Sequence, residues 1–274
     1  MINVLGIKTV TRSGSFVSKY IPSFYVVVED ELAKSVIDCL YEGSDSLARK
    51  YIFSGVWGNQ ASCLYGFFTY GLALTDIQMP SFGIVAIVDG DVEEKSIRKR
   101  INDIIKGNHK NDDQQKIVEM ISNSATSFHL DFQQKDINGL PEYNQKKWFE
   151  EITEERISKT HKEGGRKFLG NTREISSMLE LVEFSKSISE DHSLIKKKNG
   201  RPDYHSYYEI IKNDFRPSNT DHKMNNITWY ILSCIKYYTS EKWKDYTRAV
   251  DSKIRSLYES HKARFMESDF DFRS

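Results

Sequence analysis

Apolar residues in the first part of the chain fall into short uninterrupted runs separated by stretches of helical spacing. FYVVVE, residues 24–29, is an apolar run ending in acid. In the ELAKSVIDCLYE that follows, Leu32, Val36, Ile37 and Leu40 recur at helical spacing, so a strand and then a helix are predicted. YIFSGV, residues 51–56, is a second β-type run, and beyond Gly58-Asn59 the stretch ASCLYGFFTYGLAL reads as an apolar helix. FGIVAIVD, residues 82–89, has no polar side chain between Gly83 and Asp89, which suits a strand buried on both faces of a parallel sheet. Directly after it, EEKSIRKRINDII sets Ile97, Ile101, Ile104 and Ile105 at helical spacing with acids in the first turn. Such alternation predicts a right-handed βαβ architecture over about residues 20–135.

KGNHKNDDQQK (106–116) reads as a polar loop, followed by a short helix around IVEMI, a strand-like SFHLDF and the turn-rich INGLPEYN. From Gln145 the pattern becomes helical. Trp148, Ile152 and Ile157 mark one helix, and Ile175, Met178, Leu179 and Val182 another. SLIKKKNGRPDY reads as a polar connection broken by Gly200 and Pro202. Ile227, Tyr230, Ile231, Cys234, Ile235 and Tyr238, then Trp243, Tyr246, Val250, Ile254, Leu257, Tyr258 and His261, predict two long amphipathic helices joined near Thr239. The expected organisation is an α/β domain with a Rossmann-like parallel sheet over 1–140 and a mostly α-helical region over 141–274.

Composition narrows the class. A chain of 274 residues can hold one large domain or two of roughly 100–150 residues, and its core needs no covalent staple. Cys39, Cys63 and Cys234 lack any short paired spacing, so neither a zinc finger nor a disulfide framework is readable, and a reducing, cytoplasmic setting is expected. No run approaches the roughly 20 apolar residues of a membrane span, so no membrane partner is expected. The 39 basic and 39 acidic side chains balance, and the first hundred residues hold ten against eleven. A bulk positive field is therefore absent, and nucleic acid would have to be met by a local patch or an ordered metal ion.

Three acids are notable for where they stand. Glu29 ends the first predicted strand, and Asp89 and Asp91, separated by Gly90, end the third. Ligand sites in parallel sheets form at the carboxyl ends of strands. If the two strands are neighbours, the three carboxylates converge, and each ionised group raises the pKa of the others. A hard divalent cation resolves that repulsion, and Mg²⁺ takes a few carboxylates together with water and substrate phosphate, which points to metal-assisted phosphoryl chemistry. A plainer role also fits: an Asp at a strand end is commonly a turn former or helix cap, and Asp91 with Glu93 and Glu94 would suit the next helix's dipole. Lys95, Arg98, Lys99 and Arg100 follow on the same predicted helix, where they could meet a phosphate backbone or simply form a solvated face.

The order VVVE ending at Glu29, an α/β unit, then IVAIVDGD with Asp89 and Asp91, resembles a TOPRIM domain, the module shared by topoisomerases, primases and nucleases of the OLD type. The resemblance covers about residues 20–110. It implies that Glu29 matches the family's glutamate and that Asp89 and Asp91 match its DxD pair, holding Mg²⁺ or Mn²⁺. Glu29 would also serve as general base, with Lys95 or Lys99 assisting at the phosphate. The family usually has Gly after the glutamate, where this chain has Asp30, and often an acid four residues on, where it has Ala33.

Similar domains occur in antiphage defence, including OLD-like ATPase nucleases, retron-associated effectors and toxins that cleave tRNA. The implied function is a metal-dependent endonuclease acting on DNA or on tRNA or other RNA, as an effector in bacterial defence. No P-loop run occurs here, so an OLD/ABC-like ATPase or a retron reverse transcriptase would be a partner on another chain. Self-association into a homo-oligomer is a further possibility. The alternative is a non-catalytic or inhibited TOPRIM-like binding module docking on such a partner.

A third reading is a response-regulator receiver. VVVEDE with Asp30, and LALTDIQMP with Asp76, resemble its acidic pair and phosphate acceptor. Against it, only SFG separates Pro80 from the next strand, where a receiver needs a helix, and its Ser/Thr and Lys-Pro positions are missing.

Remaining signals are weaker. The seven histidines are scattered, and His129 would approach the metal site only if its strand joins the sheet. SGVWGNQ, residues 54–60, reads as a phosphate-binding loop or as a simple turn before a helix. Lys196, Lys197, Lys198 and Arg201 beside Tyr204, Tyr207 and Tyr208 combine charge with aromatic faces, as an RNA or single-stranded DNA contact or as a polar loop between helices. The Trp/Tyr stripe of the last helices reads as core or subunit interface.

Overall fold

The computed structural model describes residues 9–11, 23–42, 49–53, 82–88, 90, 99, 125–130, 141–198, 201–218 and 226–271. The chain divides into two compact units, residues 1–128 with 248–274, and residues 129–247.

The first unit is built on a five-stranded sheet: β1 (Thr9–Thr11), β2 (Ser23–Val28), β3 (Arg49–Phe53), β4 (Phe82–Val88) and β5 (Ala125–Ser127), in the order β1-β3-β2-β4-β5. β2 to β5 run parallel, and β1 closes one edge antiparallel to β3. Successive strand residues point to opposite faces, yet Val26, Val27 and Val28 and all of Val85 to Val88 are fully enclosed. Both faces of the central pair are therefore covered, as an unbroken apolar run in a parallel sheet requires.

One cover is α1 (Glu31–Leu40), which buries Ala33, Val36, Ile37 and Cys39 as a stripe. Within the same unit, Val250, Ile254 and Tyr258 are buried along one face of the last helix, at four-residue spacing. The Tyr41 hydroxyl donates to Asp251 Oδ1 at 2.7 Å, and Arg255 Nε donates to the same oxygen at 2.8 Å.

The sheet departs from the sequence pattern at its margins. β1 carries no legible signal, β3 lies two residues earlier than the 51–56 run, and the strand expected over SFHLDF is 125–127. The apolar stretch 61–74, the loop 54–60, the helix expected after residue 92 and Asp76 lie outside the described residues, apart from Lys99, which is helical and exposed.

The second unit is mostly helical: α2 (Pro141–Glu150), α3 (Glu154–Lys162), α4 (Thr172–Ser187), α5 (Tyr207–Asp214), α6 (Ile227–Tyr238) and the start of α7 (Ser240–Asp271). The single helix expected through Trp148, Ile152 and Ile157 is two, because Thr153 stops the first pattern and caps the second by accepting from Arg156 N. α4 begins with a reciprocal box in which Asn171 accepts from Glu174 N and Glu174 accepts from Asn171 N. The junction expected near Thr239 is found: Thr239 ends α6, donating its hydroxyl to Ile235 O at 2.8 Å, and α7 starts at the next residue. The polar connection 193–204 holds a small antiparallel hairpin, β6 (Lys196–Lys198) and β7 (Arg201–Asp203).

Candidate functional site

The parallel strands define one distinctive place. From β2 the chain moves to β3 on one side and then to β4 on the other, so the strand order reverses between β2 and β4. In open α/β sheets this reversal leaves a crevice beyond the carboxyl ends, where ligands bind. The register pairs Val28 with Ile87, so both strands leave the sheet at neighbouring points. Glu29 is the first residue beyond β2 and is half-buried. β4 ends at Val88, whose carbonyl accepts from Phe128 N at 3.4 Å, and whose register partner on β5 is Ser127. Gly90 is buried in a turn directly after. Asp89, Asp91 and Lys95 lie outside the described residues.

Glu29 and Asp30 have separate tasks. Asp30 is extended, at φ −148° and ψ −176°, and its carboxylate accepts from Ala33 N at 2.7 Å as the N-cap of α1. Asp30 thus starts a helix. Ala33, whose N–H donates to the cap, is itself buried in the core. The N-terminus of α1 follows immediately and adds positive dipole at this edge.

Among the described residues no group of three or more His, Cys, Asp or Glu side chains is arranged to hold a metal ion. The donor set that the edge and the sequence after β4 offer is all carboxylate oxygen, which matches a hard cation in kind.

Four of the described histidines, His129, His161, His192 and His205, have structural partners. β5 joins the sheet, but His129 Nε2 lies 3.5 Å from Asp245 Oδ2 and its backbone N–H donates to Tyr246 O at 2.9 Å. His161 faces the Tyr238 hydroxyl at 3.3 Å, His192 lies 3.5 Å from Asp214, and His205 lies 2.9 Å from Asp203.

The helical unit contains a buried polar network with no forerunner in the sequence pattern. α2 encloses Asn144, Gln145 and Lys146 together with Trp148 and Phe149. Lys146 pairs with Glu150, whose Oε1 also accepts from Ser185 Oγ at 3.3 Å, and Ser185 Oγ lies 2.9 Å from the Tyr207 hydroxyl. Gln145 bridges two tyrosines, donating to Tyr246 at 3.2 Å and accepting from Tyr208. Burial pushes the Lys146 ammonium below its usual pKa against the opposing pull of Glu150. The same desolvation pushes Tyr204 up to about 12 and raises Tyr207 further. Lys146, Glu150, Ser185 and Tyr207, and Gln145 with Tyr208 and Tyr246, are hydrogen-bonded to one another inside a packed core, an arrangement that serves the fold.

The tyrosines beside the lysine-rich hairpin are part of that core. Tyr204 and Tyr207 are buried, so they offer no stacking face next to Lys196 and Lys197. α5 begins at Tyr207 and turns Tyr207, Ile210 and Ile211 inward together. No protein-family model, curated protein or solved structure matches the chain at a significant level.

Proposed function

We propose that the chain is a metal-dependent nuclease of TOPRIM type that hydrolyses phosphodiester bonds at the carboxyl edge of its parallel sheet. The observation that carries this reading is the strand order: the strand that leads into Glu29 lies beside the strand that leads into Asp89-Gly90-Asp91 in the sequence, at the point where the order reverses. Glu29, Asp89 and Asp91 would hold Mg²⁺ or Mn²⁺, which when bound neutralises charge on a phosphate and acidifies water. Glu29 takes the proton from the attacking water, and Lys95 places positive charge against the scissile phosphate. Asp30 fixes where α1 begins and so where Glu29 leaves the strand. The reaction class fits nucleic acid, either DNA or tRNA, and a role in bacterial antiphage defence with a partner ATPase or reverse transcriptase.

The test is cleavage of supercoiled plasmid, single-stranded DNA and total tRNA with Mg²⁺, with Mn²⁺ and with EDTA. Cleavage by the native chain that stops in EDTA and in both Glu29→Ala and Asp89→Ala is expected. A folded native protein that cuts none of these substrates, alone or with a partner, would favour the binding-module reading instead.

A further inference from the structure

Away from the sheet edge, the helical unit carries an aromatic cluster flanked by cations. Phe168, in the loop between α3 and α4, stacks on Tyr237 with centroids 5.3 Å apart and planes 16° from parallel. Trp229 meets Phe168 edge-on at 5.8 Å. Phe168, Trp229 and Tyr237 are each half-buried, whereas Phe149, Tyr207 and Tyr246 in the same unit are enclosed. The Arg166 guanidinium lies 6.0 Å from the Tyr237 ring centroid and the Lys236 ammonium 5.5 Å from it.

The charge of the surrounding segment is unlike that of the chain. Residues 159–173, KTHKEGGRKFLGNTR, hold five Lys/Arg and one acid in a protein whose formal net charge is zero. That acid, Glu163, lies 3.8 Å from Lys159, and the adjoining Glu174 is engaged at the N-terminus of α4, accepting from Gly170 N and Asn171 N. Arg166, Lys167 and Arg173 are exposed.

The loop is also held in place. Gly165 N donates to Thr160 O at 2.8 Å, Leu169 N donates to the Tyr238 hydroxyl at 3.0 Å, and Gly164 takes φ 78°, which a side chain would resist. A surface already ordered loses little entropy when it binds.

An apolar protein contact has no need of five cations over the end of α3, the loop and the start of α4, since interface cores are depleted of charge. A plain polyanion site has no need of half-exposed rings. Rings that offer a π-face among Arg and Lys side chains are how single strands are held without sequence preference. We propose that this cluster is a contact surface for single-stranded nucleic acid or unpaired bases, with bases stacking at Trp229 and Phe168 and phosphates meeting Arg166, Lys167 and Lys236. It goes beyond the nuclease reading, to which it adds a surface that engages substrate, and it involves none of the sheet-edge residues.

The experiment is fluorescence anisotropy of a labelled short oligouridylate and its DNA counterpart with the full chain in EDTA, so that binding is read without cutting. Arg166→Glu combined with Lys167→Glu changes two exposed positions and leaves the core intact. It should weaken binding by at least about tenfold and reduce the slope of log K against log salt by about 1.4, at about 0.7 per phosphate contact. Trp229→Leu should weaken binding by about fivefold or more, and the native tryptophan emission should respond to the oligonucleotide. Unchanged affinity in the charge-reversed protein would overturn the proposal, as would an oligoglutamate of equal charge competing as well as the oligonucleotide. The two readings separate cleanly: binding is read in EDTA, where no cutting occurs, and binding through Arg166 in a protein that never cuts would sink the nuclease reading alone.

Discussion

Val28 and Ile87 are register partners on adjacent parallel strands, so the chain leaves the sheet at two neighbouring points on one edge. Glu29 stands at one exit, and in sequence Asp89 follows Val88 at the other. Neither residue could be related to the other from spacing alone, because the 59 residues between them could have been folded with another strand in between. That strand, β3, pairs on the far side of β2. The strand order is what turns two separate acids into one candidate site.

Asp30 gives a way to separate folding from chemistry at this edge. Removing its cap with Asp30→Ala should cost about 1 kcal/mol of stability, within a range of about 0.5–2, while Asp30→Asn should stay within a few tenths. Urea denaturation measures both. Metal binding in Asp30→Asn should match the native chain, since an asparagine side-chain oxygen can still accept from Ala33 N as the N-cap of α1.

The buried pair on α2 makes a second prediction. Lys146 and Glu150 have side chains only 4% and 12% exposed, so truncating one leaves the other charged in a site with little water. Lys146→Ala should destabilise by about 3 kcal/mol or more. Lys146→Met with Glu150→Leu should recover much of that loss, because both charges go together. A double-mutant cycle read by chemical denaturation gives the coupling, and a loss for Lys146→Ala below about 1 kcal/mol would contradict the arrangement.

Alkaline pH should expose the tyrosines of the same unit. Desolvation raises Tyr204 to about 12 and raises Tyr207, Tyr230 and Tyr238 as well, from an ordinary 10.0. Because the folded values lie above the unfolded ones, their contribution is complete below about pH 10 and is lost as pH rises toward and through the folded values. Lys146 has the opposite sign: its folded pKa is lowered, so its penalty eases as pH rises toward 10.5. Four tyrosines outweigh one lysine. Stability should hold from pH 7 to about 9 and fall above about 10, with tyrosinate absorbance rising together with loss of helical circular dichroism. Full tyrosine ionisation near pH 10 in a protein that stays folded would contradict the burial.

What was readable in the sequence follows from how each element is stabilised. β2, α1 and β4 announce themselves because their burial is apolar and continuous: Val26 to Val28, then Ala33, Val36 and Ile37, then Val85 to Val88. β1 is three residues on an edge, too short for periodicity, and the Lys196–Asp203 hairpin is polar with Gly200 and Pro202 between and within its strands. α2 is misleading in the opposite sense. PEYNQKKWFE looks solvent-facing, and only tertiary partners such as Glu150, Tyr208 and Tyr246 make Gln145 and Lys146 buriable. For the candidate site, the position of Glu29 at a strand end was legible, while the neighbouring of β2 and β4 was not. The cations of 159–173 carry no signal in the sequence pattern, because only the loop's path sets Arg166 against Tyr237 and Phe168 on the same ring.

The central claim is that Glu29 and Asp89 hold one metal ion together. Its most direct test is titration of Mn²⁺, followed by electron paramagnetic resonance, into the native chain, Glu29→Gln and Asp89→Asn, each first shown to keep the native thermal midpoint. One bound ion in the native protein, displaced by Mg²⁺ and lost or weakened at least about tenfold in both variants, is the predicted result. Native-like Mn²⁺ affinity in either folded variant would contradict it.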